Sequence, residues 1–223
     1  MADGQLRGEA TRQRLIEAGL EVFGRYGFDG ATTRQLASEA GVNQAAIPYY
    51  FGGKEGLYVA VAEHLIATII GRLDPVLSEL ERLADGGVLT KTAARQLLLS
   101  MLGRMAEVMI GTPEAEVWAR FIVREQMDPT PAFDILYRGM GGRGLRLIAR
   151  LLGWLIDLPE DDPRVSIKAF TLIGQILVFR AARAAVMRRL EWQAVGREEV
   201  AAVQAVVAAN VNAILDAHER GAP

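Results

Sequence analysis

Apolar residues recur every three or four positions along the whole chain, and no stretch shows the strict alternation of a half-buried strand. Between Ala10 and Tyr26, Leu15, Gly19, Val22, Phe23 and Tyr26 form one stripe with charged residues opposite, predicting an amphipathic first helix. Turn residues from Gly24 to Gly30 close it. Thr32 followed three residues later by Gln35 has the spacing of a capping box, so a second helix begins there. Leu36, Ala37, Ala40 and Val42, then Ile47 and Phe51, describe two short helices hinged at Gly41. That geometry lays a second helix into a DNA major groove.

Gly53 and Lys54 open a fourth helix, with Leu57, Val61, Leu65, Ile69 and Leu73 on one face and its end at Asp74-Pro75. Turn signals at Asp85-Gly86-Gly87, Gly111-Thr112-Pro113, Asp128-Pro129-Thr130-Pro131 and from Leu158 to Pro163 divide the remainder. The count is nine or ten helices. The expected architecture is all-α. A three-helix helix-turn-helix domain occupies residues 1–55, and a larger helical domain for ligand binding and dimerisation occupies 56–223, joined through a long shared helix.

The 223 residues contain no cysteine, which removes disulfide frameworks, thiolate metal sites and cysteine nucleophiles. The segment Met1 to Glu9 is polar, without the apolar run of a signal peptide, and reads as a disordered arm. The longest apolar runs, such as Ala169 to Phe179, are too short and interrupted for a span of about 20 residues. No membrane association is expected, and the cytoplasm is the expected compartment. Charge runs against the DNA reading. Residues 1–65 carry six Arg and Lys against eight Asp and Glu, a net −2, whereas a nucleic-acid domain usually has a basic surplus. The reading therefore requires the few cations to share one face while carboxylates such as Glu17 and Glu21 point away.

Three blocks, Ala31-Thr32-Thr33-Arg34-Gln35-Leu36-Ala37, Ala40-Gly41-Val42 and Tyr49-Tyr50-Phe51-Gly52-Gly53-Lys54-Glu55-Gly56-Leu57, give the N-terminal 60 or so residues a specific signature. The chain here resembles the tetracycline-repressor (TetR) family of homodimeric bacterial transcriptional regulators. Phe121-Ile122-Val123-Arg124-Glu125-Gln126 with Pro129-Thr130 and Phe133, and Gly174-Gln175-Ile176-Leu177-Val178-Phe179-Arg180, resemble the CecR-like subgroup.

Beside that resemblance, each residue has its own chemistry. Thr33, at the start of the second helix, offers a hydroxyl and a backbone amide to a phosphate, or simply caps the helix. Arg34 reaches a phosphate or a guanine edge, unless it is a solvated arginine. Gln44, at the start of the recognition helix, matches adenine or a phosphate, with a polar helix start as the bland reading. Ala45 and Ala46 are small enough for groove entry, and their methyls suit a thymine methyl. Tyr49 and Tyr50 offer hydroxyls to flanking phosphates, one ring being expected to pack beneath the helix. Lys54 would clamp a further phosphate, while Ile47 and Phe51 should be core. Pro48 departs from the family pattern. Five residues into a helix, a proline removes one backbone bond, a cost of about 3 kcal/mol in a long helix, and would tilt the Tyr49-Tyr50 end.

In the second half, segments of about Arg164 to Arg189 and Glu198 to Ala217 carry more apolar face than one small core needs. Dimerisation is the use this implies. By resemblance these are the last two helices, pairing with their mates in a four-helix bundle. A two-fold dimer then implies a palindromic double-stranded operator. Trp118, Phe121, Phe133, Tyr137, Trp154 and Phe179 are candidates for an apolar pocket, with Arg120, Arg124, Glu125, Gln175 and Arg180 as polar groups. The bland reading is an aromatic core with a structural Arg–Glu pair. Arg120 and Arg124, one turn apart, share a face suited to an anionic effector. The glycines between Arg138 and Gly144 form either a hinge or a loop.

Catalysis finds no support. His64 and His218 stand in no metal-binding spacing, and no Gly-x-Ser-x-Gly, phosphate loop or dinucleotide fingerprint is present. No cofactor is expected. The expected function is a sequence-specific repressor released from its operator by an unidentified small-molecule effector. The alternative is a DNA-binding dimer whose C-terminal domain binds a protein partner or no ligand.

Overall fold

The computed structural model describes residues 2–85 and 89–220. Among these there are eleven α-helices, one π-helical turn and no strand, more helices than the nine or ten read from the sequence. They are α1 (Ala2–Gly30), α2 (Thr33–Ala40), α3 (Ala46–Phe51), α4 (Lys54–Asp85), α5 (Lys91–Ile110), α6 (Ala115–Met127) and α7 (Pro131–Met140). The π-helical turn Gly141–Leu145 follows, then α8 (Arg146–Leu155), α9 (Pro163–Ala181), α10 (Arg183–Leu190) and α11 (Arg197–Glu219). The turn signal at Asp85-Gly86-Gly87 lies largely outside the described residues.

The helices gather into two compact units, Met1–Thr68 with Glu116–Gly139, and Ile69–Ala115 with Met140–Pro223. In the first unit α1 packs on α2, burying Leu15, Phe23, Leu36, Ile47, Leu57 and Phe121. The segment expected to be a disordered arm is instead the opening of α1, which is helical from Ala2. Near its end α1 is interrupted at Gly27, whose φ of 75° is left-handed. The Arg124 guanidinium lies so close that a β-carbon at Gly27 would come within 2.7 Å of it. The left-handed φ favours glycine there, and a larger residue would also have to displace the end of the Arg124 side chain.

In the second unit α5 packs against α8, α9 and α11 around Leu98, Leu151, Leu172, Ile176, Val203 and Val207. Polar bonds hold the same helices together: Arg95 pairs with Asp216 and Glu219 at 2.5 and 2.9 Å, and Arg180 donates to the carbonyls of Met109 and Ile110 at 3.2 and 3.0 Å.

Three boundaries differ from the sequence reading. The fourth helix does not stop at Asp74-Pro75 but continues to Asp85. Pro75 removes the rung to the Gly71 carbonyl, and the next carbonyl, that of Arg72, accepts from Arg104 Nε and Nη2 at 3.2 and 3.0 Å. Arg143, from the π-helical turn, clasps Asp74, Ser78 and Glu81 on successive turns across the proline. The segment from Arg164 to Arg189 is two helices, α9 and α10, bent by 77°. The glycines between Arg138 and Gly144 do not form a loop: Gly139 lies within α7, and Gly141, Gly142 and Gly144 belong to the π-helical turn that carries α7 into α8.

Two stretches, Lys54–Leu83 and Arg197–Glu219, are long and apolar enough by length and composition to cross a membrane, unlike the shorter runs singled out from the sequence.

Candidate nucleic-acid interface

Local sequence builds this surface. Thr32 caps α2 by accepting from the Gln35 backbone at 3.2 Å, and Gln35 Oε1 accepts from the Thr32 backbone at 2.9 Å, completing the capping box. The helix ends at Gly41, φ 61°, where the N–H of Val42 returns to the Ala37 carbonyl at 3.0 Å and that of Gly41 to Ser38 at 3.2 Å. This left-handed closure turns the chain sharply, and only glycine adopts it without steric cost. Leu36, Ala37, Ala40 and Ile47 are buried, so both helices are locked to the module through one side.

The opposite side carries the residues singled out for DNA. Gln44 Nε2 donates to Thr33 Oγ1 at 2.8 Å, joining the start of α2 to the turn before α3. Arg34, Gln44, Ala45, Pro48 and Tyr49 are exposed, and Thr33, Ala46 and Tyr50 half-buried. Tyr49 is 80 % exposed, its ring edge-on to Tyr50 at 4.8 Å. Ile47 is core, whereas Phe51 is only half-buried.

Gln44 is not the first residue of the recognition helix, which begins at Ala46 after an Asn43 side-chain cap on the Ala45 amide at 2.8 Å. That register changes the account of Pro48. It stands in the first turn of α3, where a backbone N–H has no intrahelical partner, and the Gln44 carbonyl it would have used accepts from Ile47 at 3.2 Å. The expected loss of a helical bond does not arise.

Lys54 is already engaged. Its ammonium donates to the carbonyls of Phe28 and Ala31 at 2.9 and 3.1 Å and lies 4.3 Å from the Phe28 ring centroid. One of its three donors is left for any further acceptor.

The residues singled out for a ligand belong to both units. Trp118 and Phe121 on α6 are buried in the first unit; Phe133 is half-buried and Tyr137 exposed on α7, with stacked rings 6.0 Å apart. Gln175 and Phe179 belong to α9 in the second unit, where Gln175 accepts from Asn210 at 2.8 Å. Trp154 is exposed. Arg120 and Arg124 do share a face, and it is turned toward α1: Arg120 pairs with Glu21 at 3.1 Å and Arg124 donates to the Arg25 carbonyl at 3.3 Å. Among the described residues Glu125 pairs with no arginine; its buried carboxylate accepts from Tyr58 and Thr130. Tyr58 carried no sequence signal. A cleft of about 570 Å³ beside α1 and α2 is lined largely by charged and polar groups, among them Glu21, Arg25, Arg34, Glu39 and Arg120, and by none of the aromatic residues singled out for an apolar pocket.

A capped helix, a glycine turn and a short second helix with Arg, Gln and Tyr displayed outward define a helix-turn-helix DNA-binding regulator. Residues 15–61 match the family described as bacterial regulatory proteins, tetR family, and residues 94–218 match the C-terminal domain of the HTH-type transcriptional dual regulator CecR. The chain is 32 % identical over 210 residues to the dual regulator CecR of Shigella flexneri, covering 94 % of this chain and 93 % of that one. It is 37 % identical over 62 residues to the HTH-type transcriptional repressor NicS of Pseudomonas putida, 28 % of this chain and 29 % of that one.

Solved structures share the fold. The fatty acid degradation regulator FadR from Bacillus halodurans aligns with a TM-score of 0.58 at 14 % identity, over 89 % of this chain and 94 % of that one. The transcriptional regulator FadR from Bacillus subtilis in complex with stearoyl-CoA aligns with a TM-score of 0.55 at 17 % identity, over 92 % and 96 %. The chain belongs to the TetR family, with a CecR-type C-terminal domain, and is a transcriptional regulator rather than an enzyme.

Proposed function

We propose that this regulator is a cytoplasmic homodimeric repressor that holds a palindromic operator and is released from it by a small-molecule effector. The observation that carries the dimer is the outward apolar surface of α9 and α11. Ile167, Phe170 and Val178 on α9 and Val206 and Ile214 on α11 are exposed, and only 28 % of the apolar stretch of α11 is buried within the chain. An exposed surface of this kind on the last long helices fits a two-fold four-helix bundle. Two recognition helices so related meet successive major grooves about 34–36 Å apart, which makes the operator a palindrome.

Within each half-site Thr33, Tyr49 and Tyr50 hold phosphates, Arg34 and Gln44 read base edges, and Ala45, Ala46 and Pro48 shape the surface that enters the groove. Lys54 adds its remaining donor to a phosphate. The effector half of the reading rests on kinship with regulators of this fold, one of which is described in complex with stearoyl-CoA. Release requires the effector to bind the DNA-incompetent arrangement more tightly, since equal affinity for both shifts nothing.

A second reading, a DNA-binding dimer whose C-terminal domain takes a protein partner or no ligand, is favoured by one observation. Arg120 and Arg124, singled out as polar groups for an effector, are engaged with α1.

Selection from a random double-stranded library at stated salt, with the oligomer measured by sedimentation, tests the reading. A palindrome bound by a dimer supports it. Enrichment of no sequence by wild-type protein sinks it.

A further inference from the structure

The charge deficit of the N-terminal module leaves open which cations carry it onto DNA, and α1 supplies one that the helix-turn-helix motif does not include. A β-carbon at Gly8 would stand 3.4 Å from the Tyr50 hydroxyl, so the start of α1 lies directly against the second half of the recognition helix. One turn later on the same face, the Arg12 guanidinium lies 5.3 Å from the centroid of the Phe51 ring. Arg12 is exposed, and among the described residues it forms no ion pair.

Two acidic residues of α1, Glu17 and Glu21, are directed elsewhere. At 100° per residue Glu17 and Glu21 stand about 140° and 180° around the helix from Arg12. Glu17 accepts from Gln13 at 2.9 Å, and Glu21 is held by Arg120. Glu9 is the carboxylate closest to Arg12 around the helix, and no ion pair joins them.

We infer that Arg12 is a DNA-contact residue that holds a backbone phosphate at the edge of the half-site, beside Tyr49 and Tyr50. The occupant is the sugar-phosphate backbone of the same duplex, because the group is a planar cation without a base-reading partner, set outside the recognition helix. Stacking on Phe51 holds the guanidinium in place before DNA arrives, so its fork meets two phosphate oxygens with little further ordering. Arg12 then adds a cation beside the Tyr50 end of the recognition helix, on the opposite side of α1 from Glu21. The inference rests on the DNA-binding reading above.

The test compares full-length wild-type protein with Arg12→Gln, which removes the charge but keeps a helix former, on the selected operator and on a scrambled duplex. One phosphate contact contributes a slope of about 0.9 in log affinity against log salt, so Arg12→Gln should lose roughly eightfold at 0.1 M monovalent salt, by the same factor on both duplexes. Glu17→Gln should bind as wild type does. A scan of single methylphosphonates should find one position whose neutralisation weakens wild type by that factor and Arg12→Gln not at all, a readout that a merely structural role for Arg12 would not produce. Wild-type affinity and slope in Arg12→Gln, with Arg34→Ala still impaired, would overturn the inference, as would the absence of such a phosphate. If wild type binds no duplex, the DNA-binding reading falls and takes the inference with it.

Discussion

The hydroxyl of Tyr58 on α4 donates to the carboxylate of Glu125 on α6, which is fully buried. The hydroxyl and backbone N–H of Thr130, before α7, donate to the same carboxylate at 3.0 and 3.1 Å. The Tyr58 ring meets Phe23 at 4.7 Å, Phe28 at 5.1 Å and Phe121 at 5.0 Å, so α1, α4 and α6 converge on one side chain. A buried charge is tolerable only when its lone pairs are met, and here three donors meet them.

Tyr58→Phe removes one donor from that carboxylate and should destabilise the protein by about 1.5–3 kcal/mol, measured by urea unfolding. The alkaline side gives a second readout. Burial first, and then the Glu125 carboxylate, push the Tyr58 hydroxyl well above its usual range. Because its folded pKa is raised, the contribution is complete below about pH 10 and is lost as pH rises from there through the folded value. The variant should therefore lose part of the wild-type decline in stability at alkaline pH.

What the sequence makes legible here is what is local. The Thr32–Gln35 capping box, the turn at Gly41 and the burial of Ile47 each depend on residues a few positions apart, and each is realised. What is not legible depends on distant partners. Tyr58 and Glu125 are 67 positions apart, and Arg120 and Glu21 are 99. The continuation of α4 past Pro75 is accompanied by contacts from Arg104 and Arg143 on either side of the proline, and no window around Asp74 contains them. Pro48 shows how fine the margin is, since beginning α3 at Ala46 rather than Gln44 changes a broken bond into none.

Arg34 and Lys54 should separate readout from scaffolding. Arg34→Ala should weaken operator binding by about 1–3 kcal/mol or relax the preference at one base, with an unchanged melting temperature, because the side chain is exposed. Lys54→Ala should weaken all duplexes alike and also lower the melting temperature, because it leaves the carbonyls of Phe28 and Ala31 without their donor. Binding isotherms at several salt concentrations, with thermal unfolding in parallel, check both. A Lys54→Ala protein as stable as wild type would remove its scaffolding role.

Asp162 caps α9, accepting from the Arg164 backbone at 2.8 Å and from its guanidinium at 2.7 and 3.0 Å. The side-chain bond to Arg164, with the backbone bond second, holds its carboxyl down at about 2. A depressed folded pKa means the contribution is present above the ordinary carboxylate value of about 4 and is lost as pH falls through 2. Asp162→Asn keeps a capping oxygen but not the charge. Its melting temperature should fall less steeply than that of wild type between about pH 4 and pH 2. Parallel curves over that range would show that the pair does not contribute to acid stability.

The dimer reading has a sharp test in Phe170, because this side chain is 58 % exposed and its loss should leave the packed face of α9, with Val165, Ala169, Leu172 and Ile176, intact. A charge at that point costs little in the isolated chain and a great deal if a second copy covers it. Phe170→Glu should keep the wild-type helical signal yet sediment as a monomer at micromolar concentration. Its operator affinity should fall by about 10²–10⁴-fold, since each half-site would bind without the effective concentration that linkage provides. Val123 on α6 is also exposed and apolar but lies outside α9 and α11, so Val123→Glu should remain dimeric. If Phe170→Glu stays a dimer while Val123→Glu dissociates, the copies meet through α6 and the two-fold bundle of α9 and α11 is the wrong assembly. The spacing of the two recognition helices, and with it the form of the operator, would then have to be derived from a different axis.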